Sequence, residues 1–184
     1  MSPVQTRLWQ PQDDASLVDI LTRQLKQDKA WPPPYAHDLD LAAWLAKPAD
    51  LNRWVAVHED QIVGHMGLGN PAQPQLEKCV AALGHADIHF AELCRTCIAP
   101  EFRQLGIASL LTRVAIKHAI SIGRIAVSTV LTNRTAWLSN MLETGWRDVG
   151  RLETDTEGTE LVCLFPPQKF VDAVLNPTDQ STQE

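Results

Sequence analysis

The sequence predicts one α/β (α+β) domain, a mixed sheet with helices on both faces. Three observations point there. Short β-patterned runs alternate with helical periodicities along the chain. An amphipathic stretch, Gln104 to Ile122, is followed at once by a β-branched apolar run, Ile125 to Leu131. The 184 residues are 45% hydrophobic and 21% charged, an ordinary globular balance in a chain long enough to bury a core without staples. The expected domain covers residues 1–175, and residues 176–184 read as a polar acidic tail.

Val4 to Trp9 alternates and reads as the first strand, ended by Pro11. Asp13 and Asp14 are N-cap candidates for a helix to about Lys29, carried by Leu17, Ile20, Leu21 and Leu25. Trp31-Pro32-Pro33-Pro34-Tyr35 must be extended, because each proline fixes φ and removes a donor. Asp38 to Ala46 is a short second helix, and Pro48 to Asn52 a loop. Trp54 to His58 and Ile62 to Leu68 pair as a hairpin about Glu59-Asp60. After a loop from Gly69 to Pro74, Gln75 to Leu83 has helical spacing and Gly84 stops it. Ile88 to Ile98 is a long strand ended by Pro100. Gln104 to Ile122 carries the widest apolar stripe, stopped by Gly123. Ile125 to Leu131 reads as a buried central strand. Asn133 is placed to cap a helix from Thr135 to Glu143, which Gly145 ends. Trp146 to Leu152 and Thr159 to Phe165 are the last strands, and Phe170 to Leu175 a short helix.

The net charge is −6, and it is unevenly placed. Residues 1–152 are balanced, whereas residues 153–184 hold seven acids and Lys169 as the lone base. With a sequence pI of 5.5 and no basic patch, a nucleic-acid partner is not expected. No apolar run approaches the ~20 residues of a membrane span, and the N-terminus builds no signal-peptide core. The expectation is a cytoplasmic protein without a membrane partner. The Cys94-x-x-Cys97 spacing occurs once, without a second pair, so no metal is expected and the thiols should be reduced.

The chemistry is concentrated between Phe90 and Arg124. A strand ends in Cys97-Ile98-Ala99-Pro100, and Arg103-Gln104-Leu105-Gly106-Ile107-Ala108 leads into the amphipathic helix. A helix N-terminus offers unpaired N–H groups and about half a positive charge. Gly106 has no side chain to keep a ligand off the backbone, Ala108 is small, and Arg103 adds a formal charge. Together they read as a phosphate cradle at a strand-to-helix turn. Alone, the short motif also fits an ordinary helix start. In its setting the string resembles the GNAT superfamily of N-acetyltransferases. The Ile-x-Pro strand end, the helix and buried strand that follow, Asn133 before the next helix, and Gly145-Trp146 carry the resemblance, which covers about residues 4–165.

The resemblance implies a mostly antiparallel sheet of six to seven strands, splayed between strands 4 and 5. It also implies acetyl-CoA as acyl donor. The pyrophosphate would take backbone N–H groups of Gln104, Leu105, Gly106, Ile107, Ala108 and Ser109, with Arg103 beside them. The pantetheine arm would pair with Thr96, Cys97 and Ile98, and Asn133 would contact the cofactor arm. The acceptor would be a primary amine of a small molecule or peptide, attacking directly in a ternary complex; a homodimer is compatible. Glu92, in Phe90-Ala91-Glu92, matches a general base of one branch of the family and by alternation shares a face with Phe90, Cys94 and Thr96. A solvent-facing strand glutamate, or one paired with an arginine, is the competing reading. The tyrosine that relatives carry in the helix after the Asn is missing. Counting from Asn133 puts Asn140 there; counting back from Gly145 puts Met141 there. That gap supports an alternative, a catalytically weak acyl-CoA-binding or sensing module. Trp31 and Tyr35 are placed at the acceptor mouth together with the segment Asn70 to Asp87, which intervenes between the third and fourth strands.

Overall fold

The structure is a computed structural model that describes residues 3–27, 40–46, 50–84, 88–153 and 160–176. Its strands are β1 (Gln5–Leu8), β2 (Asn52–His58), β3 (Gln61–Gly69), β4 (Phe90–Ile98), β5 (Ile125–Leu131), β6 (Arg147–Glu153) and β7 (Glu160–Phe165). Its helices are α1 (Asp14–Gln27), α2 (Leu41–Ala46), α3 (Gln73–Leu83), α4 (Ile107–Ser121), α5 (Thr135–Glu143) and α6 (Gln168–Leu175). The strands form a mixed seven-stranded sheet in the order β1-β2-β3-β4-β5-β7-β6. The chain divides into two units, Met1–Asn70 with Leu93–Ala115, and Pro71–Glu92 with Ile116–Glu184. No helix among the described residues is long and apolar enough to cross a membrane.

In the first unit β1, β2 and β3 are antiparallel, with Thr6 opposite Ala56 and Ala56 opposite Gly64. The hairpin turns on Glu59 and Asp60, both left-handed at φ 48° and 64°, the two-residue turn whose twist suits antiparallel strands. The helical spacing of α1 buries Leu17, Ile20 and Leu21 against Leu45 of α2, Val55 of β2, Cys97 and Ala99. Within β4, Arg95 is left-handed at φ 54°. This irregularity breaks the side-chain alternation, so the face assigned to Glu92 does not extend by simple counting to Thr96.

His65 of β3 holds that irregular residue. Its Nδ1 lies 2.8 Å from the carbonyl oxygen of Arg95, and Arg53 Nε donates to its Nε2 at 3.2 Å. Arginine can only donate, so Nε2 accepts and the neutral ring carries its proton on Nδ1. Burial pushes the His65 pKa down to about 4, against an ordinary 6.5. The unfolded chain therefore binds a proton that the folded chain refuses. Stability contributed by the neutral ring is present above pH 6.5 and is lost as pH falls toward 4. The full effect is roughly 3 kcal/mol. Thermal melts from pH 7 to 4 should show this loss, and His65→Gln should flatten the profile in that window. An equally steep profile in the variant would assign the loss to other groups.

In the second unit, β5 is buried along both faces, as a central strand flanked by helices on both sides must be: Ile125, Ala126, Val127 and Ser128 are each at most 5% exposed. β5 and β7 are antiparallel, as are β6 and β7. Cys79 of α3, Phe90, Ile125, Val127, Phe165 and Val171 of α6 form the core, with Leu76, Val80 and Leu83 packed against it. Phe90 and Phe165 meet edge to face at 6.3 Å. The intervening segment is part of the core: α3 supplies Cys79 to it and rests on β6 and β7. Replacing it by a tight turn would uncover that core. The expected side-chain cap at Asn133 is also absent. The N-cap of α5 is Arg134, with no side-chain cap bond, and its amide instead donates to Leu131 O at 3.0 Å.

Candidate active site

The helix α4 starts at Ile107, three residues later than the expected start at Gln104. Gln104 and Gly106 are both left-handed, at φ 65° and 75°, so the chain turns sharply before Ile107. The first helical bond runs from Leu110 N to Gly106 O at 3.0 Å. The N–H groups of Ile107, Ala108 and Ser109 precede it and have no partner within the helix. Gln104, Leu105, Gly106 and Ser109 are exposed, Arg103 and Ala108 half-buried, and Ile107 buried. A Cβ placed on Gly106 would meet nothing within 4 Å. The turn is open to a ligand directly over the backbone, and its glycine answers a left-handed φ rather than crowding within the protein.

The β4 end expected to face the pantetheine arm lies in the same unit. Thr96 and Ile98 are half-buried and Cys97 is 2% exposed. Burial pushes the Cys97 thiol up to about 12, so it is protonated and a poor nucleophile at neutral pH. Gln24 of α1 donates from Nε2 to Ile98 O at 2.7 Å, while its buried Oε1 has no partner. A donor there would repair an unmet acceptor. Two residues of this region were not singled out by sequence reasoning: Gln24 and Gly64. A Cβ on Gly64 would lie 2.7 Å from Ile98 Cδ1, 3.2 Å from Cys97 O and 3.3 Å from Ile107 Cγ2. Gly64 therefore lets β3, the end of β4 and the start of α4 close together. Gly64→Val should cost about 1–3 kcal/mol by overpacking, read as a lower Tm. An unchanged Tm would show that these neighbours yield freely.

Glu92, Asn133 and Asn140 lie in the second unit. Thr129 Oγ1 donates to Glu92 Oε1 at 2.6 Å. The Gln75 side-chain amide, oriented so that its nitrogen donates, lies 3.1 and 3.2 Å from the two carboxylate oxygens. Asn133 and Asn140 are exposed, whereas Met141 is 2% exposed. Of the two residues that counting placed at the tyrosine position, Met141 belongs to the core and Asn140 faces solvent. Trp31 and Tyr35 lie outside the described residues. Among the described residues no group of three His, Cys, Asp or Glu side chains could hold a metal ion, and all four cysteines are free.

A left-handed turn that delivers open N–H groups at the start of a long helix is the arrangement by which α/β proteins hold phosphate. The chain belongs to the acetyltransferase (GNAT) family, whose model matches residues 15–137. No match was found among curated proteins. Solved structures share the fold. The ribosomal-protein-S18-alanine N-acetyltransferase of Escherichia coli is 10% identical, with 90% of this chain and 94% of that one covered and a TM-score of 0.64. The structure of yncA from Salmonella typhimurium with its cofactor acetyl-CoA is 14% identical, with 89% and 92% covered and a TM-score of 0.64. The paia N-acetyltransferase of Thermoplasma acidophilum in complex with coenzyme A is 15% identical, with 90% and 99% covered and a TM-score of 0.62.

Proposed function

We propose that this protein is an N-acetyltransferase that binds acetyl-CoA and transfers the acetyl group to a primary amine of a small molecule or peptide. The observation that carries the reading is the open left-handed turn at Gln104 and Gly106, which leaves the α4 N-terminus clear above a glycine. The pyrophosphate would lie against the N–H groups of residues 104–109, with Arg103 beside it. The pantetheine arm would run along Thr96, Cys97 and Ile98, near the unpartnered Gln24 Oε1. Asn133 and Asn140 are the residues that the family resemblance assigns to cofactor contacts.

The chemistry follows from the reactants. The neutral amine attacks the thioester carbonyl carbon, and its nitrogen must lose a proton. The tetrahedral oxyanion collapses, the C–S bond breaks, and the CoA thiolate leaves and takes up a proton. Glu92 is the base in this scheme, directly or through water, and a backbone N–H near Cys97 would face the oxyanion. The protonated Cys97 thiol speaks against a covalent acetyl-cysteine, which favours direct attack in a ternary complex.

The second reading, an acyl-CoA-binding or sensing module, is favoured by the α5 surface. Met141 is buried and Asn140 is no acid, so no tyrosine is there to protonate the thiolate. Release of free thiol from acetyl-CoA across an amine panel separates the two. Amine-dependent release supports the enzyme. Tight acetyl-CoA binding with no release above the buffer rate supports the module.

A further inference from the structure

Strands that neighbour each other in a sheet are commonly joined by a few residues, as β2 and β3 are by Glu59 and Asp60. Between β3 and β4 the chain instead inserts α3. Packing alone would fill its buried side with apolar residues. It does so at Cys79, which is fully buried, but at Gln75 it buries an amide to 1% exposure. Burying an amide costs free energy unless it is hydrogen-bonded. Its partner is the Glu92 carboxylate, at 3.1 and 3.2 Å. Thr129 of β5 also donates to Oε1, at 2.6 Å. Two residues from two elements therefore grip one carboxylate.

We propose that Gln75, together with Thr129, is a positioning residue: the inserted helix exists in part to fix the Glu92 carboxylate for proton abstraction. The proposal rests on the reading of Glu92 as the base. A carboxylate offers about four lone-pair directions, so it can accept from more than one donor at once. These donors restrict the side-chain torsions, and a group held in its productive geometry does not spend entropy on finding it. The thiols of Cys79 and Cys163 feel the Glu92 charge. Burial pushes Cys79 up to about 12 and Cys163 upward as well, so both are neutral near pH 7. Lys78 of α3 and Asp148 and Arg151 of β6 are the charged groups that act on Cys163 from the packed elements.

The test is Gln75→Met, which keeps length and removes the donor, made in the wild type and in Glu92→Gln. Both are assayed for kcat, acetyl-CoA KM and the pH profile of kcat, with Tm as a check on folding. Gln75→Met should lower kcat about tenfold and leave acetyl-CoA KM within about twofold. It should move the acidic limb of the profile upward, because the carboxylate loses a donor that favours its charged form. In the Glu92→Gln background it should change kcat no further. Thr129→Val should act in the same direction, and it decides the matter if Gln75→Met does not fold. Wild-type kcat and pH profile in the folded variant, or equal losses in both backgrounds, overturn the proposal and leave α3 as packing. Wild-type activity in Glu92→Gln alone overturns the base reading, and the positioning role with it. A loss in Glu92→Gln with none in Gln75→Met or Thr129→Val overturns the positioning role only.

Discussion

Gly106→Glu is expected to abolish the thermal stabilisation that coenzyme A gives the wild-type chain. A ligand that binds the folded state at a hundred times its Kd adds about 2.7 kcal/mol of stability. In the wild type the turn is ready for it: φ at Gly106 is 75° and the space where a Cβ would sit is empty. A glutamate puts a carboxylate in that space, against the dianionic pyrophosphate. It also places an L-residue in a left-handed conformation, at a cost of about 1–2 kcal/mol. The variant should therefore melt somewhat lower without ligand and show no shift with it. Gly106→Ala separates the two causes, since it carries the same backbone strain without the charge and should keep part of the shift. Equal shifts in wild type and Gly106→Glu would remove the cofactor from this turn.

The elements that the sequence revealed are those whose burial follows a local period. Leu17, Ile20 and Leu21 recur at helical spacing and are the buried face of α1. Ile107, Leu111, Ala115 and Ala119 do the same for α4. The strand, glycine turn and helix of the proposed cradle are legible for a similar reason, since they follow each other without a gap. What stayed hidden depends on partners distant in the chain or on backbone angles that side chains do not announce. Nothing about Gln104 declares a left-handed φ, so the sequence predicts a helix start three residues before the observed one. Arg95 breaks the alternation of β4, and its carbonyl meets a histidine 30 positions away. Gln75 begins the helical period of α3 and, as a polar residue, gives no sign of burial. Its contact with Glu92 exists only once α3 and β4 are brought together. Gly64 reads as one strand glycine among several, and only the approach of Ile98 and Ile107 shows why it is small.

Glu92→Gln is expected to lower kcat/KM by ~10²-fold or more at neutral pH, the scale of a positioned base. The structure makes this substitution a clean one. A glutamine at position 92 still presents an oxygen to Thr129 Oγ1, now 2.6 Å from Glu92 Oε1. Its new NH2 group faces Gln75, and the Gln75 amide can turn over to present its oxygen instead, so the contact at 3.1 Å survives with donor and acceptor exchanged. Volume is nearly preserved, and Tm should stay close to the wild type. Binding of acetyl-CoA should also be retained, because the proposed cradle uses backbone N–H groups at residues 104–109. The loss should then appear in turnover with a saturating donor, and raising the pH should recover part of it as more of the amine becomes neutral without help. Activity close to the wild type from neutral to mildly alkaline pH would assign the proton transfer to water or to another residue. It would leave Glu92 as the partner that satisfies the buried amide of α3.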